Sequence, residues 1–168
     1  MTVDQLHKKH SPVCWTGWIK TKESNFSIYL FMIYITRRER FSAAHRLYNE
    51  NWSDEKNREI YGLCANPNWH GHNYILWVTV KGEVNDELGY LCDLKALSTL
   101  IKKNILEKLD HKNLNLEVDF LRGKKISTEN LAIGIWNELS PQVISLGVEL
   151  HSVKVQETEN NYVEYFGK

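Results

Sequence analysis

The stretch His70-Gly71-His72-Asn73-Tyr74-Ile75-Leu76-Trp77-Val78-Thr79-Val80-Lys81-Gly82 decides how the rest of the chain is read. From His72 to Val80 it is rich in Tyr, Ile, Trp and Val, the composition of a well-buried strand, and Gly82 closes it. In an extended strand residues two apart share a face at about 3.3 Å per residue, so the Cα atoms of His70 and His72 stand about 6.6 Å apart. Two imidazoles so placed can converge on one metal ion. Gly71 between them lets another backbone or a ligand approach closely.

Working upstream, Ile33, Ile35, Phe41, Ala43 and His45 fall on one face of a period-2 segment, and Tyr34, Thr36, Arg38, Arg40 and Ser42 fall on the other. This first strand delivers His45 at its end. A third imidazole there completes a set, His45, His70 and His72, that leaves the fourth tetrahedral position of Zn²⁺ open, as catalytic zinc requires. The plain alternative is three ordinary strand histidines. Between the two strands, the polar stretch from Asn49 to Asn68, with its turn-forming Asn66-Pro67-Asn68, reads as a long loop.

Working downstream, Asp93 caps a helix whose apolar positions Leu94, Leu97, Ile101, Ile105 and Leu109 recur every three or four residues. A second helix is expected over about Thr128 to Leu139, with Leu131, Ile135, Trp136 and Leu139 inward. Ser140 and Pro141 then read as the cap and first position of a short helix to about Leu146. Two short strands follow, about His151 to Glu157 and Asn161 to Phe166, joined by a tight turn at Glu159 and Asn160. The order is strand, strand, helix, helix, strand, strand, which is an α+β domain without repeats.

The whole chain has 168 residues, the size of one domain, and its 21 basic residues balance 21 acidic ones. That balance argues against a nucleic-acid groove, a polybasic membrane surface or a disordered tail as its main business. No apolar run reaches the roughly 20 residues that span a bilayer. Three cysteines, Cys14, Cys64 and Cys92, are too few for a disulfide scaffold, so a reducing, cytoplasmic setting is expected. Residues 1–31 show no clear period and read as an extension of uncertain status. The functional domain is expected over 32–168, with Met32 as a second candidate start.

Several further side chains carry candidate chemistry. Cys64 is open to three readings: a fourth zinc ligand, a free catalytic thiolate near the metal, or an inert buried cysteine. Cys14 and Cys92 read as spare thiols. Asp110-His111 is either a favourable charge at a helix C-terminus or a proton relay in which the carboxylate fixes the imidazole tautomer. Glu157 is either solvated or a paired acceptor for an amino group and ring N–H of a heterocycle. Arg37, Arg38 and Arg40 read first as a charged strand face, with attraction of a polyphosphate as the alternative.

Taken together and in order, these residues resemble the 6-pyruvoyl-tetrahydropterin synthase family, which includes the 6-carboxytetrahydropterin synthases of queuosine biosynthesis. The resemblance runs from about Ile33 to Gly167. It rests on Phe41-Ser42-Ala43-Ala44-His45, on Cys64 with Asn66-Pro67-Asn68 and His70-Gly71-His72-Asn73-Tyr74, and on Leu109-Asp110-His111-Lys112-Asn113-Leu114. Ser127-Thr128-Glu129-Asn130 and Glu157-Thr158 with Asn160-Asn161 complete it.

The resemblance implies the tunnelling fold, in which a four-stranded antiparallel sheet carries two helices on one face and subunits join edge to edge into a barrel, with a hexamer of two trimers as the assembly. It implies 7,8-dihydroneopterin triphosphate as substrate and elimination of triphosphate as reaction, giving 6-pyruvoyltetrahydropterin or, alternatively, the 6-carboxy product. Zn²⁺ would be held by His45, His70 and His72, with Cys64 as proton acceptor, Asp110 and His111 as relay, Glu157 as pterin anchor counted with that relay, and Thr128 and Glu129 as further pterin contacts. A non-catalytic zinc- and pterin-binding oligomer is the reading from a different class. Two features set the chain apart. Trp69 stands where the family has a small residue, and five residues separate Cys64 from His70, as in the 6-pyruvoyl enzymes, where several 6-carboxy enzymes have a shorter spacing.

Overall fold

In the computed structural model, which describes residues 32–168, five strands form one sheet: β1 (Ile33–His45), β2 (His70–Gly82), β3 (Lys112–Asn113), β4 (Glu149–Thr158) and β5 (Asn161–Tyr165). Their order across the sheet is β3-β1-β2-β4-β5. β1 and β2 pair antiparallel without a slip from Ile33 opposite Gly82 to His45 opposite His70. β4 lies antiparallel to β2, and β5 to β4. The expected extension, residues 1–31, lies outside the described residues.

The burial of β1 alternates along its C-terminal half, with Phe41, Ala43 and His45 buried and Ser42 and Ala44 only partly so. The same face of β2 presents Tyr74, Leu76, Val78 and Val80. Two helical units cover this face. The first is α2 (Leu94–Ile101), which continues through a π-helical turn over Lys102–Leu106 into α3 (Glu107–Leu109). The second is α4 (Thr128–Val143). Leu97, Ile101, Ile105 and Leu109 from the first unit and Leu131, Ile135, Leu139 and Val143 from the second all lie in the core.

The π turn follows from the spacing of those leucines and isoleucines. At 3.6 residues per turn, each four-residue step overshoots a full turn by about 40°, so a strict spacing of four drifts off the core in a pure α-helix. A wider π turn rewinds that drift and keeps Ile105 and Leu109 facing inward. Asp93 caps α2 as expected, its Oδ1 accepting from the N–H groups of Lys95 at 2.7 Å and Ala96 at 3.3 Å.

Four expectations need correction. The sheet is mixed and five-stranded rather than four-stranded and antiparallel, because β3 adds a short parallel pairing of Lys112 and Asn113 with Ala43 and Ala44. A two-residue strand has no periodicity to read. The Asn49 to Asn68 stretch is not all loop but contains α1 (Asp54–Tyr61), capped by Ser53. Its only buried residue is Asn57, whose amide donates to the carbonyls of Asn49, Trp52 and Ser53 and whose Oδ1 accepts from Asn49 N–H at 2.7 Å. A helix pinned by one buried amide shows no apolar stripe. Leu94, expected inward, is exposed. Finally, α4 does not restart at Ser140; Pro141 sits inside it, carried through because Leu139 and Val143 on either side are both fully buried.

Gly71 proves to be a point of close approach. A Cβ at this position would stand 3.1 Å from the carbonyl oxygen of Ala43, on the strand paired with it. Gly71→Val should therefore push β1 and β2 apart beside the histidines and lower stability by about 1–3 kcal/mol, the usual cost of overpacking. Urea unfolding checks this; an unchanged midpoint would show that the backbone yields freely there.

Candidate functional site

Because β1 and β2 are in register, His45 and His70 face each other and His72 follows one pleat along. The ring centroids lie 4.4 Å apart for His45 and His70, 5.2 Å for His45 and His72, and 5.0 Å for His70 and His72. One nitrogen from each ring falls within 4.8 Å of the others. The three side chains can therefore hold a metal ion between them.

Hydrogen bonding sets the state of these rings. Nδ1 of buried His45 lies 2.9 Å from the carbonyl oxygen of Ile126, just before α4, and an imidazole facing a carbonyl must donate. That leaves Nε2 with its lone pair, and both His45 Nε2 and His70 Nδ1 are buried without a hydrogen-bond partner. Buried polar atoms without partners are rare and costly, and a bare imidazole lone pair is what a metal ligand presents. A backbone carbonyl fixing the tautomer of a ligand ring is the usual outer-shell arrangement.

Burial is also the leading reason that all three imidazoles are held below their ordinary protonation range. In each case a neighbouring ring adds to it and the Glu157 carboxylate opposes it, and for His45 the Ile126 carbonyl opposes it more strongly. Oε1 of Glu157 lies 3.4 Å from Nε2 of His45 and 3.7 Å from Nε2 of His72. Tyr74, one pleat beyond His72, has its hydroxyl pushed up beyond the usual phenol range, first by burial and then by the charges of Glu157 and Cys64. The thiol and the carboxylate thus both bear on one phenol at the edge of the histidine cluster.

Asp110 and His111 join the site from the end of α3. Asp110 Oδ1 accepts from Ser42 N–H at 2.8 Å, while Oδ2 lies 3.0 Å from His111 Nδ1. The Ser42 amide is the main reason that the Asp110 carboxyl is held below the usual carboxylate range. His111 itself takes a left-handed backbone at φ 58° and donates its N–H to the Ser42 carbonyl at 2.6 Å. Its side chain is 83% exposed. An open cleft of about 780 Å³ runs past His72, Tyr74, Asp110, His111 and Glu157.

Cys64 lies on the 3₁₀ turn Gly62–Ala65, exposed, so the reading of an inert buried cysteine is corrected. It is outside the cluster of groups that can share a metal among the described residues. Cys92 is a free, buried thiol. Trp69, which turns the chain into β2, has a left-handed backbone at φ 66°, an arrangement that costs a side-chain-bearing residue about 1–2 kcal/mol. Thr128 and Glu129, on the first turn of α4, do not line the cleft. The Ile126 carbonyl, Ser42 N–H and Tyr74 were missed by sequence reasoning. Only Tyr74 left a signal, since period 2 places it on the face of His70 and His72.

An α+β domain with three converging imidazoles, of which His72 lines an open cleft, defines a candidate metal centre built into a sheet. The sequence model of the family described as 6-pyruvoyl tetrahydropterin synthase matches residues 34–168, and the chain belongs to that family. It is 46% identical over 136 residues to a 6-pyruvoyl tetrahydrobiopterin synthase of Dictyostelium discoideum, covering 81% of this chain and 97% of that one. A 6-carboxy-5,6,7,8-tetrahydropterin synthase of Rickettsia typhi is 31% identical over 149 residues, covering 79% of this chain and 99% of that one. Among solved structures, the 6-pyruvoyl tetrahydropterin synthase of Caenorhabditis elegans superposes with a TM-score of 0.74 at 36% identity, covering 82% of this chain and 96% of that one. Among the described residues no helix is long and apolar enough to cross a membrane.

The three imidazoles make a prediction for the metal-free protein. In the fold they take up protons only at a lower pH than in the unfolded chain, where they do so near 6.5. The unfolded chain then binds more protons, so stability is fully present above that value and declines as pH falls. Denaturant unfolding at about pH 7.5 and about pH 5.5, a window in which carboxylates stay ionised, should show a lower midpoint at the acid end. Equal midpoints would mean that the rings titrate normally in the fold.

Proposed function

We propose that this chain is a zinc-dependent lyase that eliminates triphosphate from 7,8-dihydroneopterin triphosphate to give 6-pyruvoyltetrahydropterin. The observation that carries the reading is the pair of unpartnered imidazole nitrogens, on His45 and His70, in a three-histidine cluster whose third member, His72, lines one cleft with the Asp110–His111 pair. Similarity to 6-pyruvoyl enzymes at the higher identity favours the pyruvoyl product, as does the spacing of Cys64 from His70. The Rickettsia relative keeps the 6-carboxy product as the second reading.

His45, His70 and His72 would hold Zn²⁺, which supplies Lewis acidity toward the hydroxyls of the substrate side chain. The chain's own residues do the proton work. Cys64 takes a proton from the first side-chain carbon, whose electron pair moves inward to the ring C=N bond, which takes up a proton. Loss of a second proton from the neighbouring carbon then forms a carbon–carbon double bond as the carbon–oxygen bond to the triphosphate breaks. The triphosphate leaves with that bond's electrons, and the enols formed tautomerise to ketones. No electrons are gained or lost overall, so no redox cofactor is needed. Asp110, ionised and held by Ser42, accepts the Nδ1–H of His111 and leaves Nε2 free to exchange the second proton. Glu157 offers two oxygens to the amino group and ring N–H of the pterin.

Assembly completes the picture. Among the described residues the edge of β1 is paired only at Ala43 and Ala44, and the far edge of β5 is unpaired. Such edges favour association with further copies. A barrel of the tunnelling fold, assembled as a hexamer of two trimers, would bring Thr128 and Glu129 to a neighbouring subunit's pterin. Free thiols at Cys64 and Cys92 suit a reducing cytoplasm.

The test separates the thiol from the metal. Cys64→Ala should keep its zinc and its affinity for pterin while turnover falls by about 10²–10⁴, the range for a lost general acid or base. His111→Asn, which tolerates the left-handed backbone, should lose a similar amount, and the double variant less than the product of the two. Zinc content, pterin affinity and triphosphate release on the same variants decide it. If Cys64→Ala loses zinc in proportion to activity, the thiol is a ligand and the mechanism is wrong; the mass of the product separates pyruvoyl from carboxy.

A further inference from the structure

The β2–β4 ladder begins at Ile75 opposite Gln156, yet β2 extends to His70 and β4 to Thr158. Beyond that pair the two strands no longer pair with each other, and the cleft there draws its lining from both faces of the sheet. His72, Tyr74 and Glu157 come from the helix-covered face. Arg40, Asn73 and Gln156 come from the open one. The metal centre is therefore connected to the open face of the sheet, not sealed under the helices.

On that open face Arg40, Ile75 and Gln156 form one row across β1, β2 and β4, and Ser42 with Asn73 forms the next. Among the described residues Arg40 makes no ion pair, whereas Arg37 on the opposite face is held by Glu39 at 2.8 Å. Ser42 Oγ donates to Asn73 Oδ1 at 2.8 Å, which orients the Asn73 amide and leaves its N–H groups available. Of the carboxylates lining the cleft, Asp110 is taken up by Ser42 and His111, Glu157 leans on the imidazoles, and Glu159 stands on the turn at the rim. What remains uncommitted is a guanidinium flanked by amide donors. That set matches a phosphate oxygen pair, which a planar guanidinium binds through two parallel hydrogen bonds.

We propose that Arg40, assisted by Asn73 and Gln156, binds the terminal phosphates of the substrate, so that the triphosphate arm passes between β2 and β4 onto the open face of the sheet. The inference rests on the substrate named above. Arg40 precedes Ala43, the partner of His72, by three positions, about 10 Å along the strand. An extended triphosphate with the reach of an arginine side chain covers that span. Arg40 is then a specificity-determining residue: it selects the triphosphate ester over the free alcohol without taking part in proton transfer.

The full-length, zinc-loaded protein and its Arg40→Gln and Arg40→Lys variants test this, with inorganic tripolyphosphate as the equilibrium probe. Arg40→Gln should weaken tripolyphosphate binding and raise KM for 7,8-dihydroneopterin triphosphate by about 10-fold or more, as loss of a charge-assisted bidentate contact does. Its kcat, zinc content and affinity for 7,8-dihydroneopterin, which has no phosphate, should stay as in the parent. Arg40→Lys should recover part of the affinity. Tripolyphosphate affinity and KM unchanged within about twofold in Arg40→Gln would overturn the assignment, as would an equal loss for the phosphate-free compound. Should the parent protein fail to turn over the triphosphate at all, the substrate reading fails, and the tripolyphosphate comparison alone still decides whether Arg40 is a polyphosphate site.

Discussion

Register between β1 and β2 is the constraint on which the site depends. The pairing runs unbroken from Ile33 opposite Gly82 to His45 opposite His70, and side chains alternate faces with every residue. A slip of one position would turn His70 and His72 outward while His45 stayed inward, and no shared ion would be possible. Two features hold the register at the site end. Phe41 stacks on Tyr74 with centroids 4.9 Å apart, and Gly71 lets the Ala43 carbonyl come in where a Cβ would stand only 3.1 Å from it. Packing and the candidate metal site are thus one problem: the pleat that buries Leu76 and Val78 under the helices also aligns three imidazoles at its open end.

The helices contribute polar backbone as well as apolar cover. α4 starts beside Ile126, whose carbonyl orders the His45 ring, and α3 ends where Asp110 reaches back to the Ser42 amide. β3 stitches that return to β1, with Leu114 N–H donating to the Ala44 carbonyl at 2.8 Å. The left-handed turn at His111 follows from this geometry: the chain must reverse from a helix into a parallel strand within one residue, and histidine is among the few side-chain-bearing residues that tolerate it. Asp110 and His111 are positioned by backbone hydrogen bonds rather than by side-chain packing, so His111 can stay exposed to the cleft and still be oriented.

Much of this was legible in the sequence, and the boundary of legibility is physical. The two long strands, the capping by Asp93 and the convergence of His45, His70 and His72 follow from period 2, period 3.6 and cap chemistry, which act over a few residues. α1 was hidden because a single buried asparagine, not an apolar stripe, holds it down. β3 was hidden because two residues cannot show a period. Pro141 misled because local chemistry favours a helix start at Ser140, whereas burial of Leu139 and Val143 favours continuing. The Ile126 carbonyl was unreadable in principle, since it is a backbone atom 81 positions away from the ring it orders.

The central claim is that one metal ion sits among the three imidazoles, two of which present nitrogens the fold has left bare. Diffraction from crystals of the zinc-loaded protein, collected on both sides of the zinc absorption edge, tests it directly. The account predicts a single anomalous peak per chain at about 2.0–2.1 Å from Nε2 of His45, Nδ1 of His70 and one ring nitrogen of His72, with Cys64 uncoordinated. A peak ligated by the Cys64 sulfur, or no peak among the three rings in protein that retains zinc, would contradict it.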